Sequence, residues 1–198
     1  MKSILKNVVV VALIATAPLM ADTASYSGFD GAKALIGFEG GYSSLDYSRK
    51  GLGNINNRSS DLGYGGIKIG AETQSYRLFI GARVYDSSDF DSALSYGAEL
   101  QYLMHFSSMA NMFIGINGGI VDMELIDSGL NNHIEVSEPY LGADIGVNIH
   151  LGDNADLELG AKYMSIDSTV AGVNSSYDYT FDNMITGYAS IIFKFKAD

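Results

Sequence analysis

Apolar and polar side chains alternate along the stretch PYLGADIGVNIHLG, residues 139–152. Successive side chains of a β-strand point to opposite faces, so one face of this stretch carries only apolar side chains from Leu141 to Ile149. The other face carries Asp144, Asn148 and His150 between glycines. A strand packed on a protein core would not place these three side chains on its second face unless that face were wet or paired. The pattern therefore indicates a strand between an apolar medium and a polar interior.

Seven further segments show the same alternation, and each is about as long as a strand that crosses a bilayer. No stretch after residue 21 approaches the run of about 18 apolar residues that a membrane helix needs, so strands must make any membrane crossing. The fifth segment is the least regular, because Val121 and Met123 fall on its inward face. The eight predicted segments are residues 35–47, 64–73, 76–85, 94–104, 112–123, 139–152, 157–163 and 184–196.

The N-terminus, MKSILKNVVVVALIATAPLMADTA, has the composition of a secretory signal peptide. Two lysines, Lys2 and Lys6, precede an apolar run, and small residues surround Ala21. We expect a signal peptide over residues 1–21 and a single domain over residues 22–198. The chain has no cysteine, which excludes a disulfide framework and thiol chemistry.

The charge balance is strongly acidic. Lys2 and Lys6 account for two of the 12 basic residues, so the predicted domain keeps 10 basic residues against 23 acidic ones. Nucleic acid is excluded as an expected partner, because its phosphates are bound by basic surfaces.

Connections between the segments alternate in length. Short connections lie around Gln74 and over residues 105–111 and 152–154, whereas longer ones span residues 48–62, 86–93, 124–138 and 167–183. Short turns at one rim and longer loops at the other are typical of an outer-membrane barrel with both termini at its periplasmic rim.

The last segment, ASIIFKFKAD, ends with alternating apolar side chains and a terminal aromatic, Phe195. On these patterns, residues 34–195 resemble the small eight-stranded outer-membrane barrels, a group that includes the OmpA transmembrane domain, OmpX and the opacity proteins. The resemblance implies an all-β fold: a single eight-stranded antiparallel transmembrane β-barrel with short periplasmic turns and longer extracellular loops. It places the protein in the outer membrane of a Gram-negative bacterium.

The same resemblance implies two kinds of partner. Outer-membrane lipid and lipopolysaccharide would surround the barrel. The barrel-assembly machinery would read the last strand, where Ala189, Ile191, Phe193 and Phe195 look like its signal. Residues 196–198 follow the aromatic, which departs from the family pattern.

The inward face of the predicted barrel carries charges of both signs in equal number. An eight-stranded barrel is just wide enough for side chains to fill, so balanced charges favour a paired plug, since unpaired buried charges are costly. A small ion pathway is the alternative interpretation. The predicted ion-pair network comprises Glu39, Lys68, Glu72, Arg77, Arg83, Glu99, Asp144, Glu158, Lys162 and Lys194.

The three histidines are candidates for a catalytic role. His105 and Ser107 are similar to the His-x-Ser pair of barrel-fold lipid A deacylases, but they fall on a predicted periplasmic turn, whereas that chemistry needs the outer leaflet. His150 is interpreted as a hydrogen-bonded neighbour of the ion pairs, and His133 as a solvated loop residue.

The predicted loops offer three candidate contact surfaces. Asp86, Asp89 and Asp91 could collect divalent cations, although a solvated acidic loop is favoured because the EF-hand glycine and glutamate are missing. The other two surfaces are the possible loop contacts. The basic set Arg49, Lys50 and Arg58 could face lipid phosphates or offset the acidic loops nearby. The aromatic set Tyr177, Tyr179 and Phe181 could anchor a binding surface, although the alternation favours strands that extend beyond the membrane.

No residue pattern predicts a catalytic centre, a cofactor or a metal site. The leading hypothesis is a non-enzymatic outer-membrane protein, with the barrel as a membrane anchor and surface loops for binding or shielding. A narrow porin-like channel for ions or small solutes is the alternative, and a lipid-acting enzyme is disfavoured. A soluble β-sandwich or lipocalin-like barrel is the structural rival.

Overall fold

The computed structural model describes residues 32–51, 54–86, 90–127, 132–171 and 177–196. The predicted signal peptide lies outside these residues. Within them, no helix is long and apolar enough to span a membrane. Eight strands occupy nearly all of the described chain: β1 Lys33–Gly51, β2 Asn54–Glu72, β3 Tyr76–Asp86, β4 Phe90–His105, β5 Ala110–Asp127, β6 Asn132–His150, β7 Ala155–Ala171 and β8 Tyr177–Lys196.

The strands form a closed antiparallel barrel in sequence order. Each strand pairs with the next, and β8 pairs with β1, from Lys33 opposite Lys196 to Gly51 opposite Tyr177. Closure leaves no strand edge around the body of the barrel, so backbone groups are paired on both sides. The prediction of a single eight-stranded antiparallel barrel is confirmed.

One rim of the barrel, here called the turn rim, carries the connections over residues 73–75, 106–109 and 151–154. Gly152 allows the last of these turns, because its φ of 136° is a conformation that other residues rarely adopt. Ser107 shapes the middle turn, since its Oγ accepts hydrogen bonds from the backbone N–H groups of Met109 and Ala110.

The opposite rim, here called the loop rim, differs from the sequence expectation. The sequence predicts a loop over residues 48–62, whereas β1 and β2 stay paired to Gly51 and Asn54. The strands continue because their polar side chains pair across the ladder, as the hydroxyls of Ser44 and Ser59 do at 2.8 Å. Residues that are typical of loops in sequence therefore build strands that extend the barrel wall.

The extended wall is divided into two projecting sheets. Pairing between β2 and β3 ends at Gly63 and Asp86, and pairing between β6 and β7 ends at Leu141 and Ser165. Beyond these points, β7, β8, β1 and β2 remain paired with one another, and β4, β5 and β6 form the second sheet.

The barrel wall has an apolar outer face and a polar inner face, the reverse of a soluble barrel. Leu141 is 70% exposed, whereas Asp144 and Asn148, on the other face of the same strand, are 2% and 0% exposed. A soluble sandwich or lipocalin-like barrel would bury the leucine and solvate the polar groups. The structure thus excludes the soluble rival, and the outer surface is an apolar belt.

The barrel interior is packed with side chains in two zones. Between the ion-pair residues and the loop rim lies an apolar layer, and some of its members fall in stretches that the sequence predicts as loops. Val121 and Met123, which are irregular in the sequence pattern, belong to this layer and are 1% and 5% exposed. The apolar layer comprises Leu45, Leu62, Val121, Met123, Val136, Met164, Ile166, Phe181 and Met184.

Candidate functional site inside the barrel

The structure places all ten predicted network residues inside the barrel, where each is at most 9% exposed. Alternation dictates this placement, since inward positions recur at every second residue of each strand. Inward glycines supply the room: a Cβ on Gly37 would lie 2.9 Å from the Lys68 side chain, and one on Gly160 would lie 2.7 Å from the Tyr188 ring. The ion-paired members fall into two groups joined by Glu158.

The group nearer the turn rim is centred on Arg77. Its guanidinium donates to Glu72, to Asp156 at 3.0 Å and to Glu158 at 3.1 Å. Lys194 completes the group, with Nζ 2.7 Å from Asp156 Oδ2 and 3.2 Å from Glu72 Oε1. Apart from Glu158, which is shared with the second group, two cations and two carboxylates thus neutralise one another where water is largely excluded, which is the condition under which buried charges persist.

The middle group joins β1, β2, β3, β4 and β7. Arg83 donates to Glu39 and Glu99, and Lys162 donates to Glu99 at 2.5 Å and to Glu39 at 3.4 Å. Lys68 lies 3.4 Å from Glu39. Five strands are tied together by this group, so it holds the wall as well as balancing charge.

Glu158 and two aromatic rings connect the groups. Lys68 donates to Glu158 Oε1 at 2.6 Å, while Arg77 donates to the other oxygen. The Lys68 ammonium also lies 4.6 Å from the Phe79 ring centroid, and that of Lys162 lies 4.5 Å from the Tyr188 ring centroid. Ring faces attract cations at these distances. The charges, rings and glycines together form one continuous packed network.

Asp156 belongs to this network, although the sequence prediction did not include it. The residue is fully buried and contacts Arg77 and Lys194. It also lies 2.7 Å from His150 Nδ1, whose other ring nitrogen is 3.4 Å from Asn111. The signal for Asp156 is its spacing of two residues from Glu158, which places both on the same face of β7.

Asp144 is the predicted network residue that the structure leaves outside the ion pairs. Its carboxylate has no cation within salt-bridge distance in the described part of the chain; instead it accepts from Gln101 Nε2 at 3.0 Å and from Asn117 Nδ2 at 3.4 Å. Lys162 lies opposite it in the β6–β7 ladder but directs its ammonium to Glu99 and Glu39. The ion-paired residues balance without Asp144, five carboxylates against five cations.

The predicted loop contacts agree less well with the structure than the network residues do. Phe181 is fully buried in the apolar layer, so its prediction as an exposed contact is wrong. The physical reason is a β-bulge at Asp182: Asn183 pairs with Asp46 and Phe181 with Tyr47, so Asp182 has no partner in β1. The extra residue shifts the alternation by one and turns the Phe181 ring inward, 6.2 Å from that of Tyr47.

The remaining predicted contacts lie on strands. The structure places them near the ends of β1, β2 and β8 at the loop rim, and their side chains lie outside the described residues. These contacts are Arg49, Lys50, Arg58, Tyr177 and Tyr179. Asp89 and the side chains of Asp91 and His133 also lie outside the described residues. Over the residues that are described, no group of three or more His, Cys, Asp or Glu side chains is arranged to hold a metal ion.

His105 and Ser107 lie at the turn rim, as the sequence predicts. The His105 side chain is exposed, and the Ser107 hydroxyl accepts the two backbone hydrogen bonds described above. Nucleophilic catalysis would need the serine hydroxyl to be hydrogen-bonded to a histidine, and the Ser107 contacts described in this part of the chain are those of a turn.

Comparison with solved structures identifies the class of fold. Neisserial surface protein A is similar with a TM-score of 0.59 and 17% sequence identity, over 83% of this chain and 99% of that one. The outer membrane protein AlkL in lipid bilayers is similar with a TM-score of 0.51 and 12% identity, over 89% of this chain and 96% of that one. No protein-family model and no curated protein matches the chain. The chain has the fold of the small eight-stranded outer-membrane β-barrels, as its sequence predicts.

Proposed function

We propose that this protein is a non-enzymatic outer-membrane barrel that anchors a binding or shielding surface at the loop rim. In this proposal the chain is exported by the signal peptide over residues 1–21 and resides in the outer membrane of a Gram-negative bacterium. The filled barrel interior is the observation that carries the proposal.

The interior supports an anchor rather than a channel. Ions would have to pass the network, where Arg77, Lys68 and Glu158 are each at most 1% exposed and paired with one another. They would then meet the apolar layer, where Phe181 and Val121 are likewise shielded from water. An ion loses hydration in such a layer without gaining polar contacts, so a narrow apolar segment opposes conduction.

The outer surface supports a membrane location. Exposed apolar side chains encircle the barrel, for example Leu78 on β3, Ile114 on β5 and Ile185 on β8, at 50%, 52% and 56% exposure. Large exposed apolar surfaces are rare on soluble monomers. Outer-membrane lipid is the partner that fits this belt, with the turn rim in the periplasm and the loop rim at the cell surface.

The loop rim is acidic in its described part. Outward carboxylates on four strands, Asp46, Asp61, Asp86 and Asp182, are exposed there. Such a surface would repel the phosphates of lipopolysaccharide unless divalent cations bridged them, and it would attract cationic ligands directly. The described part of this rim therefore favours a ligand that is cationic or that binds through divalent cations.

Single-channel recording of the refolded residues 22–198 in a planar bilayer tests this function. We expect insertion, verified by heat-modifiable gel migration, without conductance steps. Reproducible steps that change when Arg83 or Glu99 is neutralised would instead establish the narrow channel. Release of fatty acid from lipid A by the purified protein, abolished in His105→Ala, would contradict the non-enzymatic assignment.

A further inference from the structure

Two neighbouring turns of the turn rim expose large apolar side chains. The turn that joins β4 to β5 carries Phe106 and Met109, which are 62% and 69% exposed. The turn that joins β6 to β7 begins with Leu151, which is 59% exposed. Turns in water are usually built from small and polar residues, and the third turn, residues 73–75, has the sequence Thr-Gln-Ser. Large apolar side chains thus distinguish two of the three turns from the third.

The two apolar turns lie side by side. The backbone N–H of His150 donates to the carbonyl oxygen of Met109 at 2.8 Å, which places the first turn beside Leu151. Phe106 lies on the same turn as Met109, three residues earlier. We call Phe106, Met109 and Leu151 the apolar turn patch.

The apolar turn patch continues the apolar belt of the barrel wall. Met104 on β4, Met112 on β5 and Ile149 on β6 are outward residues close to the turns, and they are 39%, 40% and 36% exposed. On β6, the outward positions from Leu141 to Leu151 span about 26 Å along the membrane normal, for a rise of about 3.4 Å per residue and a tilt of about 40°. The apolar band of an outer-membrane barrel is about 25 Å tall. Leu151 therefore lies at the inner edge of such a band.

Backbone groups of both turns are paired within the protein. Ser107 Oγ accepts hydrogen bonds from the N–H groups of Met109 and Ala110, and the N–H of Ser107 donates to the Ala110 carbonyl oxygen at 3.4 Å. In the second turn, the N–H of Leu151 donates to the Ala155 carbonyl oxygen at 2.9 Å. Backbone groups that approach lipid need such internal partners, because hydrocarbon offers none. Both turns thus combine apolar side chains with backbone pairing that suits contact with lipid.

We propose that the apolar turn patch binds phospholipid of the periplasmic leaflet, with its three side chains inserted at the boundary between the headgroups and the acyl chains. Apolar side chains of interfacial segments are stabilised at this boundary. Continuity with the belt favours lipid over a periplasmic protein as the partner. The inference rests on the membrane location proposed above and adds to it a lipid contact for the turn rim. Two of the three turns then hold the barrel at the inner membrane boundary, while residues 73–75 stay in water.

Fluorescence quenching at single introduced cysteines tests the proposal, since the chain has no cysteine of its own. Met109→Cys and Leu151→Cys probe the patch, Gln74→Cys is the control in water, and Leu78→Cys is the control in the belt. Each chain is labelled while unfolded and then refolded into phospholipid vesicles, with folding verified by heat-modifiable migration. We expect lipids with a nitroxide near the headgroup to quench the two patch labels severalfold more than the Gln74 label. Iodide on both sides of the membrane should show the opposite order.

Three results would overturn the proposal, and they differ in what they imply. If the patch labels are quenched like the Gln74 label while lipid quenches the Leu78 label, the turns lie in water and the membrane location stands. If iodide also quenches the Leu78 label, the membrane location itself is wrong. If the patch labels are open to iodide in vesicles but shielded in cell envelopes, a periplasmic protein covers the patch. Should Met109→Cys fail to fold, Phe106→Cys replaces it.

Discussion

At the scale of single residues, the barrel depends on a few side chains that each satisfy several partners. Arg77 is fully buried and is the common partner of Glu72, Asp156 and Glu158. A planar guanidinium suits this position, because it presents five donors in fixed directions. Removing it would leave three carboxylates in one confined volume, with Lys194 and Lys68 to compensate them.

Arg77→Met should therefore destabilise the barrel strongly. The replacement keeps much of the side-chain volume but leaves three buried carboxylates with only Lys194 and Lys68 as counter-charges, and breaking a buried pair in this way costs about 3 to 5 kcal/mol. The measurement is the free energy of unfolding in urea for barrels refolded in micelles. Lys196→Met, at an exposed basic residue of β8, is the matched control and should change stability little. Equal stabilities for the two variants would show that the network contributes no net stability.

A pair of glycines tests interior packing. Gly160 faces inward, where a Cβ would meet the hydroxyl and ring of Tyr188 at 2.7 to 2.8 Å, whereas Gly187 has nothing within 4 Å of its Cβ position. Gly160→Val should cost about 1 to 3 kcal/mol through overpacking, since Tyr188 is itself held against Lys162. Gly187→Val should be tolerated. If both valine variants unfold at the same denaturant concentration as wild type, the interior is looser than the structure shows.

At the scale of the strands, the outward face of one strand meets two environments, the apolar belt and the polar loop rim. Residues of β6 that face outward range from Ile145, within the apolar belt, to Ser137 in the projecting sheet, where its hydroxyl donates to Asp122 at 2.5 Å. The chemistry of the outward face thus changes along one strand. It marks where the lipid-facing part of the wall ends and the loop rim begins.

Lysine substitutions along β6 measure this boundary. Ile145→Lys places a cation in the apolar belt, where the cost is about 2 to 4 kcal/mol at the middle of a bilayer. Ser137→Lys lies outside the belt and should lower the yield of folded protein in lipid vesicles much less, as judged by heat-modifiable migration. Comparable yields for the two variants would place residue 145 outside the membrane.

Much of this architecture could be predicted from the sequence, because alternation is a local signal. It gives the eight strands and the inward position of residues such as Arg83 and Lys162. Alternation fails at the bulge at Asp182, since one unpaired residue reverses the face of Phe181. It also fails over residues 48–62, where polar side chains pair across strands that share no sequence pattern. The identity of each ion pair depends on register around the closed barrel, which no single segment encodes.

At the scale of the whole molecule, closure connects the two ends of the described chain. β8 pairs with β7 and β1, so the barrel is incomplete until the last strand is in place. Such long-range pairing forms slowly compared with a hairpin. An unclosed barrel exposes strand edges that can pair with other chains. Assistance in closing the barrel is therefore expected in the cell, and we propose that the outward aromatic side chains at the end of β8 are recognised for this purpose.

The variant Phe195→Ala tests whether the terminal aromatic side chain is needed for assembly in the cell rather than for the stability of the barrel. Phe195 is 50% exposed on the apolar belt, so its loss should change the refolding of purified chain in micelles little. If the barrel-assembly machinery reads this aromatic, the fraction of folded protein in cell envelopes should fall severalfold. Phe38→Ala is the control, because Phe38 is a similarly outward aromatic, 54% exposed, on the neighbouring strand β1. Folded fractions are measured by heat-modifiable migration of both preparations. An equal decrease for the two variants in envelopes would mean that the belt needs aromatics generally, and that the terminal position carries no assembly signal.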